Sequence, residues 1–237
     1  MQMKLIILFL SAACLVACQR VSKVEQYRAE KNYRDSLSLI EQQRSLRFYQ
    51  SQLDSLAPQA DSLLEFFEYE KQEKYQDKGF YVFRSQQSSK NPNRCYLQST
   101  VRDDGQALVK CFYYGDYKVD MKRVVLSAGE TEMSFAGTVH MFEQHGWHGI
   151  ITLEDSVADQ ALRFVDAFRK DRIYVRYTNG EKKGYRFYLS GQEKECLCRA
   201  YHLSIVIRDI NELEKRIYKT SRQIEMYQKR LQSYALR

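Results

Sequence analysis

The sequence predicts an α+β protein, with an antiparallel β-sandwich-like or barrel-like middle domain between two long, antiparallel coiled-coil helices. Three observations carry this prediction. Segments 39–76 and 199–237 lack Gly, contain only Pro58 as a breaker, and repeat apolar residues on a heptad. Segment 78–191 changes to period-two alternation punctuated by turn residues. The whole chain of 237 residues is 44% hydrophobic with Tyr 18, Phe 12 and Pro 2. That is too apolar for disorder and rich in the residue types that suit half-buried sheets.

The first element is a leader. Met1 to Lys4 carries one positive charge, and Leu5 to Ala17 (LIILFLSAACLVA) has Ser11 as its one polar residue. Such a run is shorter than the ~20 residues needed to cross a hydrocarbon core, and it suits the apolar region of an export signal. It ends in Leu15-Val16-Ala17-Cys18. This resembles the lipobox of bacterial lipoproteins, with an aliphatic residue at −3, a small residue at −1 and the cysteine that is modified. The resemblance covers the leader, residues 1–17, and does not extend to the folded part. It implies diacylglyceryl transfer to Cys18, cleavage before it and N-acylation with a palmitate-type chain. Three acyl chains, at ~0.8 kcal/mol per buried CH₂, would anchor the protein permanently. Gln19 is not the aspartate that retains lipoproteins in the inner membrane in the best-known branch of the family. The expected location is therefore the bacterial envelope, at the outer membrane, facing the periplasm or the cell surface.

Residues 18–38 read as a tether. From Leu39 the a positions are Leu39, Leu46, Leu53, Ala60 and Phe67, and the d positions are Gln42, Tyr49, Leu56, Leu63 and Glu70. The seam is interrupted at Gln42 and Glu70. The last segment is cleaner: Leu203, Ile210, Ile217, Ile224 and Leu231 at a, with Val206, Leu213, Thr220, Tyr227 and Tyr234 at d. Two helices of roughly 38 residues, about 57 Å each at 1.5 Å per residue, match in length and suggest an antiparallel pair. Self-association through the same seams, as a homodimer, is the other arrangement they allow.

Between them, strands are expected at 80–83, 95–101, 107–114, 119–126, 132–142, 147–153, 173–178 and 185–189. Asp103-Asp104-Gly105 and Asn179-Gly180 supply hairpin turns. One short helix, from Asp155 or Ser156 to about Arg169, interrupts the series. Counting outward from the first turn sets Leu97 opposite Cys111, which leaves Cys95 and Cys111 diagonal and out of disulfide reach.

The residues that could carry chemistry are few. Cys95, Cys111, Cys196 and Cys198 are candidates for disulfides or for buried thiols, and an exported chain sits where disulfides form. A redox-active Cys196-Leu197-Cys198 pair at a helix start is the sharper alternative, without a thioredoxin-like unit around it. His140, His145 and His148 crowd near Trp147, yet their spacing matches no established ligand pattern, so no metal is assigned. No nucleophile elbow, zinc-protease helix, phosphate loop or dinucleotide fingerprint occurs, so no catalytic residue and no cofactor are assigned either. The chain has a net charge of +7, and 199–237 hold nine basic residues against four acidic ones. In an exported chain this reads as a solvated face or a lipid- or glycan-facing one, with no nucleic-acid partner. The expected function is that of a non-enzymatic, lipid-anchored envelope scaffold or adaptor with a protein partner in the envelope, presenting a β-rich head through a helical stalk. The alternative is a ligand-binding lipoprotein for glycan, lipid or peptide, using the β-domain aromatics Tyr113, Tyr114, Tyr117 and Trp147.

Overall fold

A computed structural model describes residues 2–71, 79–84, 95–143, 146–180 and 184–235, with side chains from residue 23 onward. Among these the chain forms three helices, α1 (Gln2–Leu64), α2 (Asp155–Ala167) and α3 (Gly191–Ala235). The strands are β1 (Phe67–Lys71), β2 (Gly79–Phe83), β3 (Tyr96–Arg102), β4 (Ala107–Gly115) and β5 (Arg123–Ala128). They continue with β6 (Thr131–Ala136), β7 (Thr138–Glu143), β8 (Trp147–Glu154), β9 (Tyr174–Thr178) and β10 (Tyr185–Tyr188). The chain divides into two compact units, Met1–Leu53 with Leu213–Arg237, and Asp54–Glu212.

The second unit is built on two antiparallel sheets, with strand orders β1-β2-β3-β4-β8-β7 and β10-β9-β5-β6. They close no barrel, which corrects the barrel-like half of the expectation. Among the described residues no strand of one sheet pairs with a strand of the other. The single strand expected over 132–142 is two strands, β6 in one sheet and β7 in the other. At the step between them a Cβ on Gly137 would lie 2.3 Å from the Thr152 carbonyl oxygen, so only glycine fits.

One core fills the space between the sheets. Leu97, Val109, Ile151 and Leu153 from the larger sheet meet Val124, Leu126, Val175 and Tyr177 from the smaller one. Ala158, Leu162 and Val165 of α2 join them, because Asp155 starts a helix with apolar residues at i, i+3, i+4 and i+7. Full burial of each aliphatic side chain contributes about 1.5–3 kcal/mol. A second cluster sets Phe67, Phe83 and Val101 against Cys196, Ala200 and Leu203 of α3. The first hairpin has the counted register: Arg102 N–H donates to the Gln106 carbonyl at 2.8 Å, and Leu97 faces Cys111.

Both long helices depart from their expected limits. The helix expected over 39–76 ends at Leu64, and Phe67–Lys71 is the edge strand β1. Phe-Glu-Tyr-Glu-Lys alternates at period two, and Phe67 is buried edge-on against Phe83 at 5.2 Å. Tertiary packing of that ring outweighs the heptad pattern. The last helix starts at Gly191, not near 199. Ser190 and Glu193 form a capping box: Ser190 Oγ accepts from the Glu193 N–H at 3.2 Å, and Glu193 Oε2 accepts from the Ser190 N–H at 2.8 Å.

In the first unit, Leu39, Gln42, Leu46, Tyr49 and Leu53 are all half-buried, between exposed neighbours such as Ile40 and Phe48. Leu213, Ile217, Thr220, Ile224, Tyr227, Leu231 and Tyr234 of α3 are likewise buried or half-buried. The Tyr234 hydroxyl donates to the Asp35 carboxylate at 3.0 Å, and Arg230 stands 4.0 Å from the same group. The Lys31 ammonium lies 5.8 Å from the Tyr234 ring centroid, and the Arg216 guanidinium 6.0 Å from that of Tyr49. These contacts reach back into 18–38, the stretch expected as an unpartnered tether. Among the described residues no helix is long and apolar enough to cross a membrane.

Candidate ligand-binding surface

Alternation along β3 and β4 turns Leu97, Ser99, Val109 and Cys111 into the core and puts Tyr96, Phe112 and Tyr114 on the opposite face. Tyr96 is paired with Phe112 across the strands, and the rings stack at 4.5 Å with an 18° interplanar angle. Tyr114 continues the stack, 6.4 Å from Phe112 and 6.3 Å from Tyr96. It faces His148 of β8, edge to face at 4.8 Å, and His148 in turn stacks on Phe142 of β7 at 5.2 Å. Five rings thus form one row across four strands.

Stacked and edge-to-face pairs of this kind hold each other in place, each adding about 0.5–1.5 kcal/mol beyond burial. Most are half-buried, and Phe142 is 44% exposed. Burial, followed by the neighbouring Tyr114, pushes the Tyr96 phenol up to about 12, so it stays neutral and able to donate at physiological pH. The row can offer ring edges and hydroxyls to an apolar or sugar-like ligand.

The sequence candidates do not converge on this row. Tyr113 is fully buried: its ring lies 5.0 Å from Tyr185 and 6.3 Å from Tyr177, and its hydroxyl donates to the Tyr117 carbonyl at 2.7 Å. It is a core residue and leaves the candidate set. Trp147 is half-buried and packs on the same core, with the Lys118 ammonium 5.1 Å from its ring. Tyr117 is exposed on the loop after β4. Of the four, Tyr114 alone belongs to the row. Tyr96, Phe112 and Phe142 were missed and His148 was weighed only as a metal ligand, although period-two counting from the Asp103–Gly105 turn sets Tyr96, Phe112 and Tyr114 on one face.

Cys95, Cys111, Cys196 and Cys198 are all buried, and none of them is in a disulfide. Burial pushes every resolved thiol upward. It takes Cys198 up to about 12, with help from Asp166, and Cys111 still further. Cys95 rises for the same reason, while its sulfur accepts the Tyr114 N–H at 3.4 Å. Cys196 and Cys198 lie inside α3 and enter different core clusters, so they are not a helix-start redox pair. The cross-links that spacing left open between the first hairpin and the last helix are not formed.

His140 and His148 are diagonal neighbours on β7 and β8, since His140 is opposite Ile150. His145 lies outside the described residues, and among those described no group of three His, Cys, Asp or Glu could hold a metal. Asp103 and Asp104 are turn formers: Asp103 Oδ2 accepts from the Gly79 N–H at 3.1 Å and Asp104 Oδ1 from the Gln106 N–H at 3.0 Å. The Cys18 side chain lies outside the described ones.

No family model, curated protein or solved structure matches this chain.

Proposed function

We propose that the chain is a non-enzymatic, lipid-anchored adaptor of the bacterial cell envelope. Acyl chains on Cys18 hold it to the membrane, and α1 and α3 form an antiparallel coiled coil within one chain. The β-rich unit contacts an envelope protein. The observation that carries this reading is the order of the inter-helix contacts. Arg216 meets Tyr49 while Tyr234 meets Asp35, so residue numbers rise along one helix as they fall along the other. Burial of the a and d positions supports the same pairing and favours it over a dimer made through those seams.

The test is in-cell crosslinking of a tagged chain, with mass spectrometry of the species recovered from the membrane fraction. A stoichiometric envelope protein, lost in Ile217→Asp, is the expected result. Recovery of the chain only with itself would overturn the adaptor reading.

The row of rings favours a second reading, a lipoprotein that binds a ligand through β-domain aromatics. There, Phe112→Ala with Tyr114→Ala would abolish glycan, lipid or peptide binding while leaving membrane association intact.

A further inference from the structure

The outward face of the four-stranded sheet carries a different chemistry from the aromatic row. Across β10 and β9, Arg186 is directly opposite Arg176, and Tyr188 is directly opposite Tyr174. The Arg186 guanidinium lies 3.9 Å from the Tyr174 ring centroid. Arg172, just before β9, sits 5.8 Å from the Tyr188 centroid. Arginine and tyrosine therefore interleave over the two strands.

The cations on this face are unequally satisfied. Arg176 forms an ion pair with Glu132 at 2.9 Å, spanning β5 where Val125 is 4% exposed on the outward side. Arg176 is thus a roof over Val125. Among the described residues no carboxylate pairs with Arg186 or Arg172, and both are exposed. Like charges directly opposite each other destabilise a sheet. Glu132 offsets that repulsion at Arg176, which leaves Arg186 and Arg172 as the two exposed guanidinium groups that an anion arriving at this face would meet.

We propose that this face binds an anionic polysaccharide. Planar guanidinium groups engage carboxylate or phosphate through paired N–H donors. Arg172 and Arg186 lie on opposite sides of the Tyr174–Tyr188 pair, so a polymer with an anion on successive units can engage both, whereas an isolated ion engages one. Tyr188, 62% exposed between the arginines, supplies a ring on which the apolar side of a sugar can rest. The site is independent of the adaptor reading and lies on the other sheet from the aromatic row.

The detergent-purified full chain is titrated with polygalacturonate, which has a carboxylate on each sugar, and with uncharged dextran. Binding of polygalacturonate alone is expected, weakening steeply with added salt. Arg172→Glu with Arg186→Glu should lower the affinity at least about tenfold. Tyr188→Ala should lower it about fivefold. Arg163→Glu, at an exposed arginine of α2, should leave it unchanged. If the charge reversals shift the thermal midpoint, Arg186→Gln and Tyr188→Ala replace them. Equal binding of both polymers, indifference to the Arg172 and Arg186 changes, or equal loss in Arg163→Glu would overturn the proposal. So would preference for phosphatidylglycerol vesicles over polygalacturonate.

Discussion

The hydrogen bond from the Tyr234 hydroxyl to the Asp35 carboxylate, 3.0 Å long, joins residues 199 positions apart in the chain. Asp35 is only 9% exposed, so its charge depends on Tyr234 and on Arg230 for compensation. A buried polar group at a helix seam fixes register at a cost in stability.

Removing either partner should therefore be felt. A hydrogen bond to a charged group contributes about 1.5–3 kcal/mol, and Tyr234→Phe should cost an amount in that range. A double-mutant cycle with Asp35→Ala, read by urea denaturation, should give a coupling of about 0.5–3 kcal/mol. Additive losses would mean that the two side chains do not interact in solution.

Gly137 tests the step between sheets. Its Cβ would approach the Thr152 carbonyl oxygen at 2.3 Å and Ile151 Cγ2 at 2.9 Å. Backbone does not yield as a flexible side-chain end does, so Gly137→Ala should destabilise by about 1–3 kcal/mol. Gly129→Ala makes a comparison: no atom lies within 4 Å of its added Cβ, and the strain there comes from its φ of +58° alone. A thermal midpoint unmoved by Gly137→Ala would remove the steric account of the sheet crossing.

The contrast between the two sheets shows how far the sequence could be read. Period-two alternation located the strands of the first hairpin, and the turn at Asp103–Gly105 set their register, because side-chain parity leaves little freedom there. Phe67–Lys71 was lost inside a helix because Phe67 fits both a heptad and a strand, and only its packing on Phe83 decides between them. The aromatic row was hidden for another reason. Its rings come from 96, 112, 114, 142 and 148, and the pairing of β8 with β4, which brings the two hairpins together, is a long-range fact. The capping box at Ser190 and Glu193 was local and legible, and would have placed the start of α3.

That cap gives its own prediction. Ser190→Ala removes the acceptor for the Glu193 N–H and should cost about 1 kcal/mol, within the usual range of about 0.5–2 kcal/mol for such changes. Ser190→Thr should recover most of the loss. If Ser190→Ala matched the parent in denaturant midpoint, the cap would not contribute to stability.

Thiols and phenols whose pKa folding raises make stability fall in alkali. Folding raises Cys198 from 9.0 to about 12, and Tyr113 and Tyr185 from 10.0 to about 12. The folded chain thus disfavours the ionised forms. The resulting stability is present in full below about pH 9 and is lost as pH rises from 9 toward 12. Denaturant midpoints should be flat with respect to these groups up to pH 9 and fall beyond it. Ellman's reagent at pH 8 should leave Cys95, Cys111, Cys196 and Cys198 unmodified in the folded protein and react with all four in denaturant. Rapid labelling of the folded chain would contradict their burial.

The most direct test of the account is the mass of the N-terminal peptide of the protein recovered from the membrane fraction of its own cells. The account predicts a peptide that begins at Cys18 and carries three acyl chains, with Cys18→Ser releasing the protein from the membrane. A peptide that retains residues 1–17, or one with an unmodified Cys18, would contradict it.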